Sequence, residues 1–126
     1  MRAVICGGRD YKMLGTDYVA LDRIHGIYKI TEVVSGCQTG ADQGGESWAK
    51  ARGIPVKPFP YEKSKGRAGG PIRNEKMAKY AREDNGICVA FPGGRGTTNM
   101  ITRAEYWCLP VIMVDHGQIT WDIEGR

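Results

Sequence analysis

Short apolar runs alternate with segments of helical periodicity along most of this chain. That alternation restricts its possible folds more than any other feature. The runs cover residues 3–6, 32–35, 56–59, 87–91 and 111–114 and read as strands. Leu14, Tyr18, Leu21, Ile24 and Tyr28 recur at helical spacing and place a helix over residues 16–29. Further helices are expected over 41–52, closed by Gly53 before Pro55, and over 73–83, with Met77, Ala78 and Ala81 inward. The last is expected over 98–108, with Ile101, Ala104 and Trp107 on one side. Residues 61–72 read as a polar, glycine-bearing loop, and the segment after Asp115 carries no clear pattern. Strand and helix in strict alternation require right-handed crossovers. The expected fold is therefore α/β, with a mostly parallel sheet of about five strands and helices on both faces. A length of 126 residues suits a single domain, residues 1–126.

Composition narrows the partners. The chain has 18 Lys and Arg against 14 Asp and Glu, a formal net charge of +4. That balance suits an anionic small molecule. It falls short of the clustered basic face of a nucleic-acid-binding protein, so nucleic acid is not the expected partner. No apolar run reaches the roughly 18 residues of a membrane span, and no membrane association is expected. The opening MRAVICGGRDY passes from a strand-like run straight into a turn, without the apolar stretch and cleavage site of a secretory signal; the expected location is the cytoplasm. Cys6, Cys37, Cys88 and Cys108 form no CxxC pair and have no histidine in ligand spacing. Reduced thiols packed as small apolar groups are expected, with no metal and no cofactor. Cys37 stands apart because it lies within a candidate ligand loop. His25 falls mid-helix and His116 past the last run, neither in a catalytic pattern.

In a parallel α/β sheet, ligands bind beyond the carboxyl ends of the strands, near the reversal of strand order. The loops there are GGRDY (7–11), SGCQTGAD (35–42), YEKSKGRAGGPIRN (61–74) and PGGRGTT (92–98), and glycines, hydroxyls and arginines concentrate in them. In the last, Pro92, Gly93, Gly94 and Gly96 leave a bare backbone whose N–H groups can approach an anion. A helix starting just beyond adds unpaired N–H groups and a favourable dipole. Thr97 or Thr98 would cap that helix or bond a phosphate oxygen, and Arg95 would supply charge. The alternative is a plain turn with Thr97 as the cap alone. Ser35, Gly36, Thr39 and Gly40 repeat this logic after the second strand. Asp42 falls in the first turn of the next helix, where an acid serves either the dipole or a ligand. Gly44 and Gly45, inside that helix, each cost about 1 kcal/mol relative to alanine; close packing on the sheet or close approach of a ligand would offset this. Arg73, with Asn74 beside it, is placed at a helix start, where a cation opposes the dipole. Anion binding explains that placement better than a solvated role. Gly7, Gly8, Arg9 and Asp10 sit at the mouth of the first strand, as a ligand loop or as a solvated turn. Lys63, Lys65 and Arg67 form a basic loop, either a solvated face or a lid over a bound phosphate.

The order GGRDY, VSGxxxGAD, WAxxxGIPV, GRAxGPIRNxxM, VAFPGGRGTxxM and PV runs from residue 1 to about residue 114. It resembles the SLOG superfamily, and within it the branch of short, single-domain, YspA-like proteins. The resemblance implies a Rossmann-like three-layer fold that binds a nucleotide or nucleotide-derived phosphorylated ligand, and it implies a homo-oligomer. In the LOG branch this fold hydrolyses the N-glycosidic bond of nucleoside 5′-monophosphates. Those enzymes carry PGGxGTxxE and an arginine early in the preceding helix. Pro92, Gly93, Gly94, Gly96 and Thr97 match the phosphate loop, and Arg73 matches the arginine. The glutamate does not match: Met100 stands there, beside Asn99, and neither accepts a proton at neutral pH. A carboxylate from another loop, Asp10, Asp42 or Glu46, would have to take its place. Two functions follow. One is a hydrolase in which Arg73 and Arg95 hold phosphate and Asp10 or Asp42 acts on the sugar. The other, favoured by the loss of the glutamate, is a sensor or carrier that holds its ligand intact. VVSGCQTGAD is also similar to a loop of the molybdenum-cofactor carrier proteins through Gln38 and Thr39, and such a carrier is the alternative function.

Overall fold

The structure is a computed structural model that describes residues 1–121. Strands β1 (Arg2–Cys6), β2 (Glu32–Ser35), β3 (Val56–Pro58), β4 (Ile87–Ala90) and β5 (Val111–Asp115) alternate with helices α1 (Gly15–Tyr28), α2 (Ala41–Ala51), α3 (Gly69–Arg82) and α4 (Arg95–Tyr106). A 3₁₀ segment, Lys63–Ala68, precedes α3, and a short β6 (Gln118–Thr120) closes the described chain. The six strands form one sheet in the order β3-β2-β1-β4-β5-β6. All neighbours are parallel except β6, which runs antiparallel to β5. This is the Rossmann-like α/β arrangement expected from the alternation. Pro58 is accommodated because β3 is an edge strand.

Successive side chains of a strand point to opposite faces, and β1 shows how this builds two cores. Ala3 and Ile5 join Leu21 and Ile24 of α1 and Trp48 of α2 on one face. Val4 and Cys6 join Met77 and Ala81 of α3 and Met100 of α4 on the other. The two glycines inside α2 serve this packing: a Cβ on Gly45 would lie 2.7 Å from Ile5 Cγ2, and one on Gly44 2.6 Å from Met13 Sδ. They let the helix approach the sheet and the first loop.

The structure corrects three element boundaries. Helix α3 begins at Gly69, not Arg73, because Pro71 sits within its first turn, where a missing N–H breaks no helical bond. Helix α4 begins at Arg95, not Thr98, with Gly94 in the capping position and no side-chain cap bond. Neither Thr97 nor Thr98 caps it; Thr98 Oγ1 donates back to Gly94 O at 3.2 Å. The segment after Asp115 forms a hairpin through His116 and Gly117, both at positive φ, which brings the sheet to six strands rather than five. Among the described residues, no helix is long and apolar enough to cross a membrane.

Candidate functional site

Strand order reverses at β1, whose neighbours are β2 and β4. The loops after these three strands meet over its carboxyl end and brace one another. Gly8 N–H donates to Pro92 O at 2.8 Å, and Gly8 O accepts from Ala41 N–H at 3.1 Å. Thr39 Oγ1 donates to Arg9 O at 3.2 Å. Gly40 makes this contact possible, with φ of +76° and a position at which a Cβ would lie 2.3 Å from Gly8 O.

Between these loops and helices α3 and α4 lies a cavity of about 340 Å³. Cys6, Met77 and Met100 give it apolar walls, and Gly7, Gly8 and Arg9 form the side contributed by the first loop. The start of α4 supplies Gly94, Arg95, Gly96 and Thr97. The first N–H groups of a helix have no partner within it, so the amides of this turn present positive charge to the cavity. Thr97 is 8 % exposed, and its hydroxyl makes no hydrogen bond with any described residue. Gln38, Asp42, Arg73 and Asn74 line the cavity as well.

Arg73 is fixed by its neighbours. One guanidinium N–H donates to Gly36 O at 2.6 Å and the Nε–H to Asn74 Oδ1 at 2.9 Å. Gly36 admits it, since a Cβ there would lie 2.5 Å from the guanidinium. Asn74, 3 % exposed, donates to Gly96 O and Asn99 Oδ1 and so ties α3 to the start of α4. Asp42 is 6 % exposed and accepts from Gln38 N–H at 3.2 Å. Burial pushes its carboxyl up to about 6, against the opposing pull of that N–H and of Arg73. A carboxyl so displaced changes charge near neutral pH, a property of acid–base groups.

A second, more open lobe of about 470 Å³ adjoins the first across Arg9, Gln38, Arg73, Asn74, Arg95 and Gly96. Tyr61, Arg67 and Asn99 line its far side. The guanidinium groups of Arg9, Arg67 and Arg95 make no ion pair or hydrogen bond with any described residue, whereas Lys65 of the same basic loop pairs with Glu62.

Residues 1–66, just over half the chain, match the YspA, cpYpsA-related SLOG family. The chain belongs to this family. SLOG proteins are in general binders of nucleotide-derived ligands. The matched span carries the loops after β1 and β2 and ends ahead of α3 and α4. No curated protein matches the chain.

Gly7, Gly8, Arg9 and Asp42, within the matched span, share the inner cavity with Arg73, Asn74 and residues 94–97, which lie beyond it. Several other residues singled out in the sequence stand behind it. Ser35 is buried and donates to Glu46 Oε2 at 2.5 Å while accepting from Cys37 N–H, so Ser35 and Glu46 are occupied with each other. Gly36, Thr39 and Gly40 hold Arg73 and the first loop, and Pro92 and Gly93 abut Gly8. Thr98 faces solvent, bonded to Gly94. Asp10 is exposed and lines a separate groove with Lys12, Tyr18 and Gln43. The structure does not bring Asp10 together with Asp42 and Arg73. The Cys37 backbone is left-handed and burial raises its thiol, so nothing activates it. Cys6 and Cys88 lie 3.9 Å apart in the core; their mutual hydrogen bond and burial hold the Cys6 thiol well above its ordinary value. Cys6, Met77 and Tyr61 were not singled out in the sequence as site residues, because an apolar wall has no motif. Gln38 was visible only through the carrier-like loop.

Proposed function

We propose that this protein binds a nucleotide or nucleotide-derived ligand, with a phosphate on the first turn of α4. The carrying observation is the Thr97 hydroxyl: it belongs to a buried residue, makes no hydrogen bond with any described residue, and is set in the cavity wall beside the unpaired amides of that turn. A hydroxyl that opens on the cavity and has no protein partner can donate to a phosphate oxygen placed there. Arg95 adds charge at the same turn. Arg73, already bonded to Gly36 and Asn74, orders the wall and faces the ligand as a fixed cation.

The test is a thermal-shift and mass-spectrometry screen of nucleoside monophosphates, cyclic nucleotides and ADP-ribose, repeated with Thr97→Val. A stabilising phosphate ligand whose affinity falls about 10-fold in T97V is expected. Failure of every phosphate compound to stabilise the wild-type chain would refute the reading.

One observation favours a hydrolase as the second reading. Asp42 is the only carboxylate among the cavity-lining residues, and its carboxyl is tuned to about 6. Ionised at neutral pH, it would take a proton from a water attacking C1′ of the ribose. The C1′–N bond would break and its electron pair would leave with the base, which gains a proton. Asp42→Asn would then abolish release of free base. Intact ligand after incubation with the wild-type chain would leave a sensor or carrier, the reading to which Met100 in the cavity wall inclines.

A further inference from the structure

We propose that the ligand carries two anionic groups, as a nucleoside diphosphate does, the second seated in the outer lobe on Arg67 and Arg95. This rests on the phosphate reading above and extends it. The outer lobe is lined by Arg9, Arg67, Arg73 and Arg95 and by no carboxylate. Across both lobes, four arginines face a single acid, Asp42. A phosphate monoester carries at most about two negative charges at neutral pH. The amides of α4, Thr97 and Arg73 already account for those, which leaves Arg95, shared between the lobes, and Arg67 for a second group.

Three described arginines elsewhere are matched with acids: Arg2 with Glu32 and Glu83, Arg52 with Asp22, and Arg103 with Glu75; Arg82 instead donates to Asn85 Oδ1 and Arg23 lies over the Trp121 ring. Glu62, the acid nearest the basic loop in sequence, is engaged by Lys65 and Lys76. Arg67 is left over, and its loop is positioned rather than loose. The Tyr61 hydroxyl donates to Gly66 O, the residue before Arg67, where the backbone turns left-handed. Guanidinium groups form forked, charge-assisted bonds with phosphate oxygens. Four like charges gathered around two adjoining lobes against a single acid raise the free energy of the empty site, which a polyanion would lower.

The experiment is isothermal titration of inorganic phosphate, inorganic pyrophosphate, AMP and ADP, at fixed ionic strength, into wild type, Arg67→Ala and Thr97→Val. Arg67 is exposed and makes no hydrogen bond or ion pair with any described residue, so R67A is expected to fold normally. Pyrophosphate and ADP should bind at least 10-fold more tightly than phosphate and AMP. R67A should erase that preference and leave AMP within about twofold of wild type. Equal affinity for AMP and ADP would overturn the proposal, as would an R67A variant that weakens both alike, since the lobe would then be holding the base. In either of those cases T97V would still weaken AMP, and only this extension would fall. Absence of binding by all four probes would instead sink the phosphate reading beneath it.

Discussion

A methyl group at Gly40 would have nowhere to go. It would sit 2.3 Å from Gly8 O and 2.4 Å from Arg9 O, on a backbone held at φ of +76°. Both the space and the conformation call for glycine. Gly40→Ala should therefore cost about 2–4 kcal/mol in urea unfolding, and it should weaken ligand binding by displacing the first loop. A loss under about 0.5 kcal/mol would mean that the loops are not braced as described. Residue-scale legibility was uneven in a way this position explains. Glycine, threonine and arginine in the loops after strands were visible as a ligand surface, because those residue types have few other reasons to gather there. Which glycines face a ligand and which face another loop was not visible. Gly40 and Gly93 both spend their missing side chains on close approach to Gly8, whereas Gly94 and Gly96 border open cavity. That distinction depends on contacts between segments about 30 to 85 residues apart, which local sequence does not encode.

At the scale of elements, strand–helix alternation was enough to place all five parallel strands and four helices. Both helix starts near the site were nevertheless read too late. Local rules treat glycine and proline as breakers, yet the first turn of a helix tolerates both, since its N–H groups are unpaired anyway. The difference alters the argument about Arg73. It lies in the second turn of α3, not at the start, so the helix dipole gives no reason for its position; the reason is its bond to Gly36. The shift of α4 to Arg95 places three residues of PGGRGTT inside the helix and turns their amides toward the cavity. Strand β6 was missed because three residues are too few for a period-2 signal. Elements also set the spacing of the site, through the contact of α2 with β1. A Cβ on Gly45 would meet Ile5 Cγ2 at 2.7 Å. Gly45→Ala should destabilise by about 1–3 kcal/mol. In the Ile5→Ala background, where that methyl group is gone, the same change should cost at least about 1 kcal/mol less. Strict additivity in the double-mutant cycle would show that α2 does not rest on β1 through this pair.

For the whole molecule, the site leaves its mark on stability against pH. Asp42 has a carboxyl near 6 when folded and 3.8 ordinarily, because folding buries it. The folded chain holds this proton more tightly than the unfolded chain does. Stability from this group is therefore fully present below about pH 4 and lost as the pH rises through 6. The two values differ by about two units, so the loss is on the order of 3 kcal/mol. That is a large share of the roughly 5–15 kcal/mol that stabilises a domain of this size. It is a cost the fold carries at neutral pH to keep a carboxylate beside Arg73 and the start of α4. Asp42→Asn keeps the shape and a carbonyl oxygen for Gln38 N–H but does not titrate. In urea unfolding, the stability of D42N relative to wild type should rise by about 3 kcal/mol between about pH 3 and about pH 7. Other groups titrate alike in both chains and cancel in the difference. A difference that stays constant with pH would mean that Asp42 ionises in the folded protein as freely as in water. The acid–base role proposed for it, and the hydrolase reading that depends on it, would then lose their physical basis, while the phosphate site on α4 would stand unaffected.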